Sequence, residues 1–429
     1  QQSLLILRTH LNYNGAVLAA NDSDILRFAR DTYSYLWPRD GALVVSALDL
    51  AGYGESARRF FLLCGEIIQE QGFFLHKYNP DGTLGSSWHP WISGGEAQLP
   101  IQEDETALVL WALWEHFSIY GDVEFIKPLY RPLIKGAADF MATYVDARTG
   151  LPLPSWDLWE ERRGVMSYTA AAVVGGLRAA ANFTEAFGEA DVAARYRAVA
   201  DRMRAGMDQY LWREDVGRFA RLVTLGSRGE HAWDALSGAY GMAGGDDGAP
   251  AIDQVDTTID ASLWGLFAFG AYEATDPRIE KTMEAVREGL RVRTDVGGIA
   301  RYTNDYYHQV TRDLEKAPGN PWVICTLWLA QYDIARAATI AELERALPTL
   351  DWAARHALPS GILPEQADPF TNDPLSVSPL AWSHATVVAV VRQYLSRRAA
   401  ILGSPVPEGA GAGTGRSGRP FSALSKQRD

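Results

Sequence analysis

Two short stretches of this chain set carboxylates beside bulky or restricted residues: Ser155-Trp156-Asp157-Leu158-Trp159-Glu160-Glu161 and Leu363-Pro364-Glu365-Gln366. Glu160 and Glu365 are 205 positions apart (365 − 160), so only folding can bring them together. Glycoside hydrolysis uses such a pair: one carboxyl gives a proton to the leaving oxygen and the other handles the nucleophile. Tryptophans around the first carboxyl predict a pKa raised by desolvation, which suits an acid that keeps its proton near neutral pH. Each motif alone has a plainer reading, because acidic residues in a first helical turn complement the helix dipole.

A third motif, Tyr33-Ser34-Tyr35-Leu36-Trp37-Pro38-Arg39-Asp40-Gly41, sets a donor and an acceptor beside rings, a combination that can hold vicinal hydroxyls. Its plainer reading is a helix-capping Asp40 with Arg39 as neighbour. A fourth is Gly298-Ile299-Ala300-Arg301-Tyr302, followed by Gly319-Asn320-Pro321-Trp322. There Arg301 either binds substrate or pins its loop. The chain holds 14 Trp and 18 Tyr. Rings with a polar edge suit sugars, because they pack on apolar C–H faces and still hydrogen-bond. For any single ring, core packing is the ordinary role.

The elements that must position these groups read as helix after helix. Apolar periodicity and good helix formers predict helices near 2–12, 40–51, 55–71, 103–120, 122–146, 167–188, 189–211, 255–273, 276–292, 319–337, 339–357 and 377–398. Gly52, Gly72 and Gly121 read as helix stops, and Asp122 and Asp276 as starts. The clearest strand candidate is Gly217–Leu225. Helices joined alternately by short and long connections can close into a double ring with the long connections on one face. The long, Trp-, Gly- and Pro-rich connections are 73–102, 147–166, 294–318 and 358–376, and both carboxylate motifs lie in them. Long loops in compact domains usually carry function. From Gly403 the composition turns to Gly, Pro, Ser and Ala without periodicity, which predicts a disordered tail over 403–429 after one folded unit over 1–402.

Together these motifs resemble glycoside hydrolase family 15, the glucoamylase family. The resemblance spans residues 1 to about 398. It rests on Trp37-Pro38-Arg39-Asp40, Asp157-Leu158-Trp159-Glu160-Glu161, Arg301-Tyr302, Gly319-Asn320-Pro321-Trp322, and Pro364-Glu365-Gln366 with Leu380-Ala381-Trp382-Ser383. It implies an all-α (α/α)6 barrel with a pocket at one end and inverting hydrolysis of α-glucosidic bonds from the non-reducing end. By motif register Glu160 is the general acid and Glu365 the general base that activates water. Arg39 and Asp40 clamp the terminal glucose, Arg301 and Glu161 also touch sugar, and Tyr33, Trp37, Trp159, Trp322 and Trp382 line the pocket. Asp157, Glu161 and Asp40 supply negative charge near an oxocarbenium-like transition state. Bacterial relatives often carry an N-terminal β-sandwich and fungal ones a starch-binding domain. Here the first helix starts at once and only a tail follows, which argues against action on granular starch. His384 stands where fungal relatives have an aromatic, and reads as a satisfied core histidine.

The net charge of -13 opposes binding to a phosphate backbone. The implied partner is a neutral α-glucan or α-glucoside, with no nucleic acid and no membrane. No apolar run reaches transmembrane length. The chain opens at Gln1 without a secretory signal, and its compartment stays open between cytoplasmic and secreted. Cys64 and Cys325 sit in apolar helical stretches and read as core thiols. The eight histidines are scattered, so neither a metal site nor a cofactor is expected. The other readings are a trehalase or α-1,6-glucosidase on the same scaffold, and more remotely a non-catalytic glycan-binding protein. A lyase acting on uronates would need basic residues that the motif surroundings lack.

Overall fold

The computed structural model describes residues 1–21, 32–93, 95–226 and 250–403. Its helices form two rings. The inner ring runs in chain order through Pro38–Leu50, Glu103–Tyr120, Ser167–Ala186, the short pair Ala261–Trp264 and Gly265–Ala268, Val323–Arg336 and Ala381–Ile401, which packs back on Pro38–Leu50. Outside lie Gly54–Ile67, the stretch from Val123 to Thr143, Ala190–Gly206, Pro277–Gly289, the stretch from Ile340 to Arg355, and Gln2–Thr9 against the last inner helix. This is the expected (α/α)6 barrel.

The sequence separates the rings. Ser167–Ala186 is built from Ala, Gly and Val and is buried on almost every face, as a central helix must be. Outer Pro277–Gly289 buries Ile279, Thr282, Met283 and Val286, a single stripe at i, i+3, i+4, i+7. Ring closure depends on small residues. A Cβ on Gly176 would stand 2.8 Å from the Ala107 carbonyl oxygen, and one on Gly175 2.7 Å from that of Phe269. Gly176→Val is therefore expected to destabilise the fold by roughly 2–3 kcal/mol through overpacking. A denaturant midpoint equal to wild type would show that the ring has slack there.

Pro38–Leu50, Glu103–Tyr120, Ser167–Ala186 and Val323–Arg336 each pass outward through a short turn. Gly121, in the left-handed region, ends Glu103–Tyr120, and the Asp122 side chain caps the next helix by accepting from Phe125 N–H. Asp276 caps Pro277–Gly289 the same way. The returns, 68–102, 144–166, 290–322 and 356–380, are long. All inner helices consequently start at one end of the barrel, where the long loops collect.

Several expectations need correction. Residues 255–273 are not one helix: Ile252–Asp256 is a strand paired with Leu222–Leu225, and only Ala261–Ala268 turns helically. The apolar spacing fits burial in either form, and the neighbouring strand edge supplies the partner that decides. Gly217–Leu225 does hold strands, Arg218–Phe219 and Leu222–Leu225. The latter joins Ser155–Trp156, Arg163–Met166 and Ile252–Asp256 in a four-stranded antiparallel sheet. The 122–146 helix is interrupted by a π segment, Tyr130–Lys135, flanked by Pro128 and containing Pro132, which removes a backbone donor. The 189–211 helix ends in a π turn at Met207–Leu211, and Pro348 splits 339–357. Asp40 is not a cap: the helix begins at Pro38, with Trp37 at the cap position. Gly72 is not a stop but a close approach, since a Cβ there would lie 2.1 Å from the Gly136 carbonyl oxygen. Cys64 and Cys325 are buried free thiols. Among the described residues no helix is long and apolar enough to cross a membrane. The tail expected over 403–429 lies, from residue 404, outside the described residues.

Candidate active site

The inner-helix starts and the loops leading into them enclose one cavity of about 240 Å³. Its lining includes Tyr33, Trp37, Arg39, Asp40, Trp159, Glu160, Glu161, Arg301, Trp322, Glu365 and Trp382, which is every catalytic and substrate-binding residue expected from the sequence. Below it, Trp264 and Trp328 stack at 4.6 Å, and Trp159 and Trp382 pack on Trp328 at 6.0 and 5.7 Å. Aromatic plugging of the barrel axis gives the cavity a floor.

Glu160 sits on a tight turn that Asp157 builds. The Asp157 side chain accepts from Glu161 N–H at 2.8 Å and Arg162 N–H at 3.0 Å, while Glu160 N–H donates to the Asp157 carbonyl. Asp157 is absent from the cavity lining and acts as a turn-builder, not as a field source facing the pocket. Glu160 itself has φ 65, an unfavourable conformation for a residue with a Cβ, of the kind that persists where structure over-determines it. Its Oε1 accepts from Trp37 Nε1 at 2.6 Å and lies 3.1 Å from His76 Nε2; Oε2 is buried with no hydrogen-bond partner.

The expected raised pKa of Glu160 is overturned. Burial does push it up, but His76, then His89 and Arg39, outweigh burial and bring it down to about 2. Glu365 goes the other way, pushed up to about 7 by burial against hydrogen bonds from Ser376 and Gln366. The tryptophan motif predicts desolvation but says nothing of a histidine eighty-odd positions upstream (160 − 76 = 84). Burial likewise raises Asp40 to about 6, with Arg39 opposing.

Glu365 precedes the last inner helix, its N–H bonded to the Val377 carbonyl. Beside it Tyr33 and Tyr307 share a hydroxyl contact at 2.7 Å, and Tyr307 reaches Ser376 at 3.3 Å. Arg39 is buried among Asp40, Asp104 and Glu105 and donates to Gln102 and Asp104. Arg301 pins its loop, the second of the two roles the sequence left open. It grips Asp305 through Nε at 2.8 Å and a terminal nitrogen at 2.6 Å, and it lines the cavity amid Trp159, Trp322, Tyr302 and Tyr307.

Sequence reasoning missed a second layer. Arg221, just before the strand Leu222–Leu225, pairs with Asp157 at 3.0 Å, Glu161 at 2.7 Å and Asp260 at 2.9 Å. Asp260 accepts from Trp159 Nε1, and Tyr302 donates to Glu161. Trp88, Tyr306 and Tyr307 also line the cavity. Their long loops were the available signal; Arg221 had none. His384 is a satisfied core histidine, accepting from Leu363 N–H at Nε2 and touching Ser3 at Nδ1.

A family model described as "Glycosyl hydrolases family 15" matches residues 3–350. The chain belongs to glycosyl hydrolases family 15. Among curated family relatives it is 27% identical to an uncharacterised glycosyl hydrolase of Methanocaldococcus jannaschii over 91% of this chain and 55% of that one. It is 28% identical to a glucoamylase of a Clostridium species over 83% and 46%, and 23% identical to a trehalase of Mycobacterium tuberculosis over 91% and 53%. The chain thus spans about half the length of these relatives. Solved structures share the family fold. A bacterial glucoamylase complexed with acarbose superposes at a TM-score of 0.70 with 23% identity, covering 94% of this chain and 56% of that one. The glucoamylase of Saccharomycopsis fibuligera gives 0.68 with 15% identity over 92% and 94%.

Proposed function

We propose that this chain is an exo-acting, inverting glycoside hydrolase that releases β-glucose from the non-reducing ends of α-1,4-linked glucans and maltooligosaccharides. The observation that carries the reading is the convergence of Glu160 and Glu365 in one floored, aromatic-lined cavity with Arg39 and Asp40. In this reading Glu160 protonates the glycosidic oxygen and Glu365 takes a proton from the attacking water. An inverting pair stands roughly 6.5–9.5 Å apart to admit that water. The cavity is smaller than the usual ~300–1,000 Å³ of small-molecule sites, which favours a chain end over an internal segment.

The free-site poise of the two carboxyls runs against these roles, and a bound sugar acts on the Glu160 side of it. A ring seated in the cavity displaces water, adding to the burial that already pushes Glu160 upward.

The test is product analysis. β-Glucose is expected as the first anomer by proton NMR, and glucose as the first product by chromatography, without mid-length oligosaccharides. Early α-glucose would mean retention, and early internal fragments an open cleft. The trehalase among the family relatives favours one second reading, hydrolysis of α,α-trehalose. A panel of maltose, isomaltose and trehalose separates the two by kcat/KM.

A further inference from the structure

The hydrogen bonds around Glu160 are one-sided. Both nearby donors, Trp37 Nε1 at 2.6 Å and His76 Nε2 at 3.1 Å, face Oε1, and Oε2 has no partner. The His76 approach falls short of hydrogen-bond linearity, but the distance is that of a donor contact. The other side of the ring fixes which nitrogen carries hydrogen. Nδ1 receives Trp88 N–H at 3.3 Å and lies 3.3 Å from Ser87 Oγ. Nδ1 is therefore the acceptor, and the neutral ring bears its hydrogen on Nε2, towards Glu160. His76 cannot drift. It is buried, stacked on His89 at 4.1 Å, with Trp88 and Trp37 edge-on at 5.4 and 6.2 Å, and His89 is clamped by parallel Trp156 at 4.6 Å.

We propose that His76 is a positioning residue for the acid, which with Trp37 anchors Oε1 of Glu160 and leaves Oε2 to carry the proton. The proposal rests on the reading of Glu160 as general acid. In the step, the proton on Oε2 passes to the glycosidic oxygen as the C1–O bond breaks, and that bond's electron pair stays on the departing oxygen. Water bonds to C1 and gives its proton to Glu365. The charge left on Glu160 is shared with Oε1, which already faces two donors, so the conjugate base is stabilised without reorganisation. Around this pair stand Arg39, His89 and Lys77 as cations or potential cations, and Asp40, Glu105 and Tyr33 as anions or potential anions. Removing His76 alone leaves those in place and takes away a donor that favours the ionised Glu160.

The experiment is the pH dependence of kcat on maltose for wild type, His76→Ala and His76→Gln. In the enzyme–substrate complex the alkaline limb titrates the acid. His76→Ala is expected to move that limb up by about one pH unit, a tenfold change in the ionisation constant, and to lower the plateau by roughly 10-fold or more. His76→Gln keeps an N–H donor and is expected to hold the limb near its wild-type position. A dinitrophenyl α-glucoside, whose leaving group needs no proton, is expected to be turned over by His76→Ala within about threefold of wild type, since acid assistance is then idle. A limb that stays or moves down in His76→Ala overturns the proposal, as does an equal loss on both substrates. Glu160→Gln on the same pair tests the underlying reading separately: if it loses both substrates alike, Glu160 is not the acid, whatever His76 does.

Discussion

Glu160→Gln and Glu365→Gln are each expected to cut turnover on maltooligosaccharides by roughly 10²–10⁴-fold, the usual scale for one acid or base, with helical circular dichroism unchanged. Neither change leaves a charge stranded. Glu160 accepts from Trp37 through Oε1, which also lies 3.1 Å from His76, and a glutamine carbonyl oxygen can accept from Trp37 too. The leaving group then tells the roles apart. Glu160→Gln is expected to recover most activity on a dinitrophenyl α-glucoside, because that bond breaks without a proton. Glu365→Gln is expected to stay slow on both, because water must still be activated. The opposite pattern would exchange the two roles, in line with the free-site poise of about 2 for Glu160 and about 7 for Glu365. Near-wild-type rates in either variant would remove that residue from the reaction.

The poise also separates what was legible in the sequence from what was not. Burial of Glu160 was readable, because Trp156 and Trp159 flank it, and burial is indeed the largest influence on it. The net direction was not, because His76 comes from another loop and no local pattern announces it. The same division holds for the fold. Alternation of helices with short and long connections gave the double ring and the face on which long loops gather. Asp122 and Asp276 marked true starts, because a cap is a local bond between a side chain and a nearby backbone N–H. Residues 255–273 misled, because Val255, Ile259, Leu263 and Leu266 repeat at a helical spacing although the chain there pairs with Leu222–Leu225. Pairing with a strand about thirty positions away (255 − 223 = 32) is tertiary, and period alone does not see it. Motif residues that line the cavity showed themselves in the sequence. Residues that hold those side chains, such as Arg221 behind Glu161, are constrained only by geometry.

Arg39 belongs to both groups, which makes its replacement the severest single change expected here. In its proposed role as a clamp on the terminal glucose, its loss is expected to raise KM and lower kcat together, since contacts remote from the bond also align it. Its second task lies beneath the pocket. The guanidinium is 3.1 Å from Asp104, 3.6 Å from Asp40 and 3.7 Å from Glu105, all buried, and it donates to Gln102. Burial raises the pKa of Asp104 and Glu105, and Arg39 is the foremost influence opposing it. Raised carboxyls favour the neutral form in the fold, so without Arg39 the folded protein is penalised more as pH rises through their folded pKa. Breaking one side of a buried ionic cluster costs about 3–5 kcal/mol. Arg39→Ala is therefore expected to lower the melting temperature by several degrees at neutral pH and less at mildly acid pH, besides losing activity. Arg39→Lys keeps the charge but not the planar fork. It is expected to regain most of the stability while kcat/KM stays low, because only the fork can serve Asp104 and a sugar hydroxyl at once. If Arg39→Lys restores stability and kcat/KM alike, charge alone suffices and the clamp is not bidentate. If Arg39→Ala melts like wild type at every pH, the buried carboxyls are neutral without its help and the cluster beneath the pocket is not what holds the site in shape.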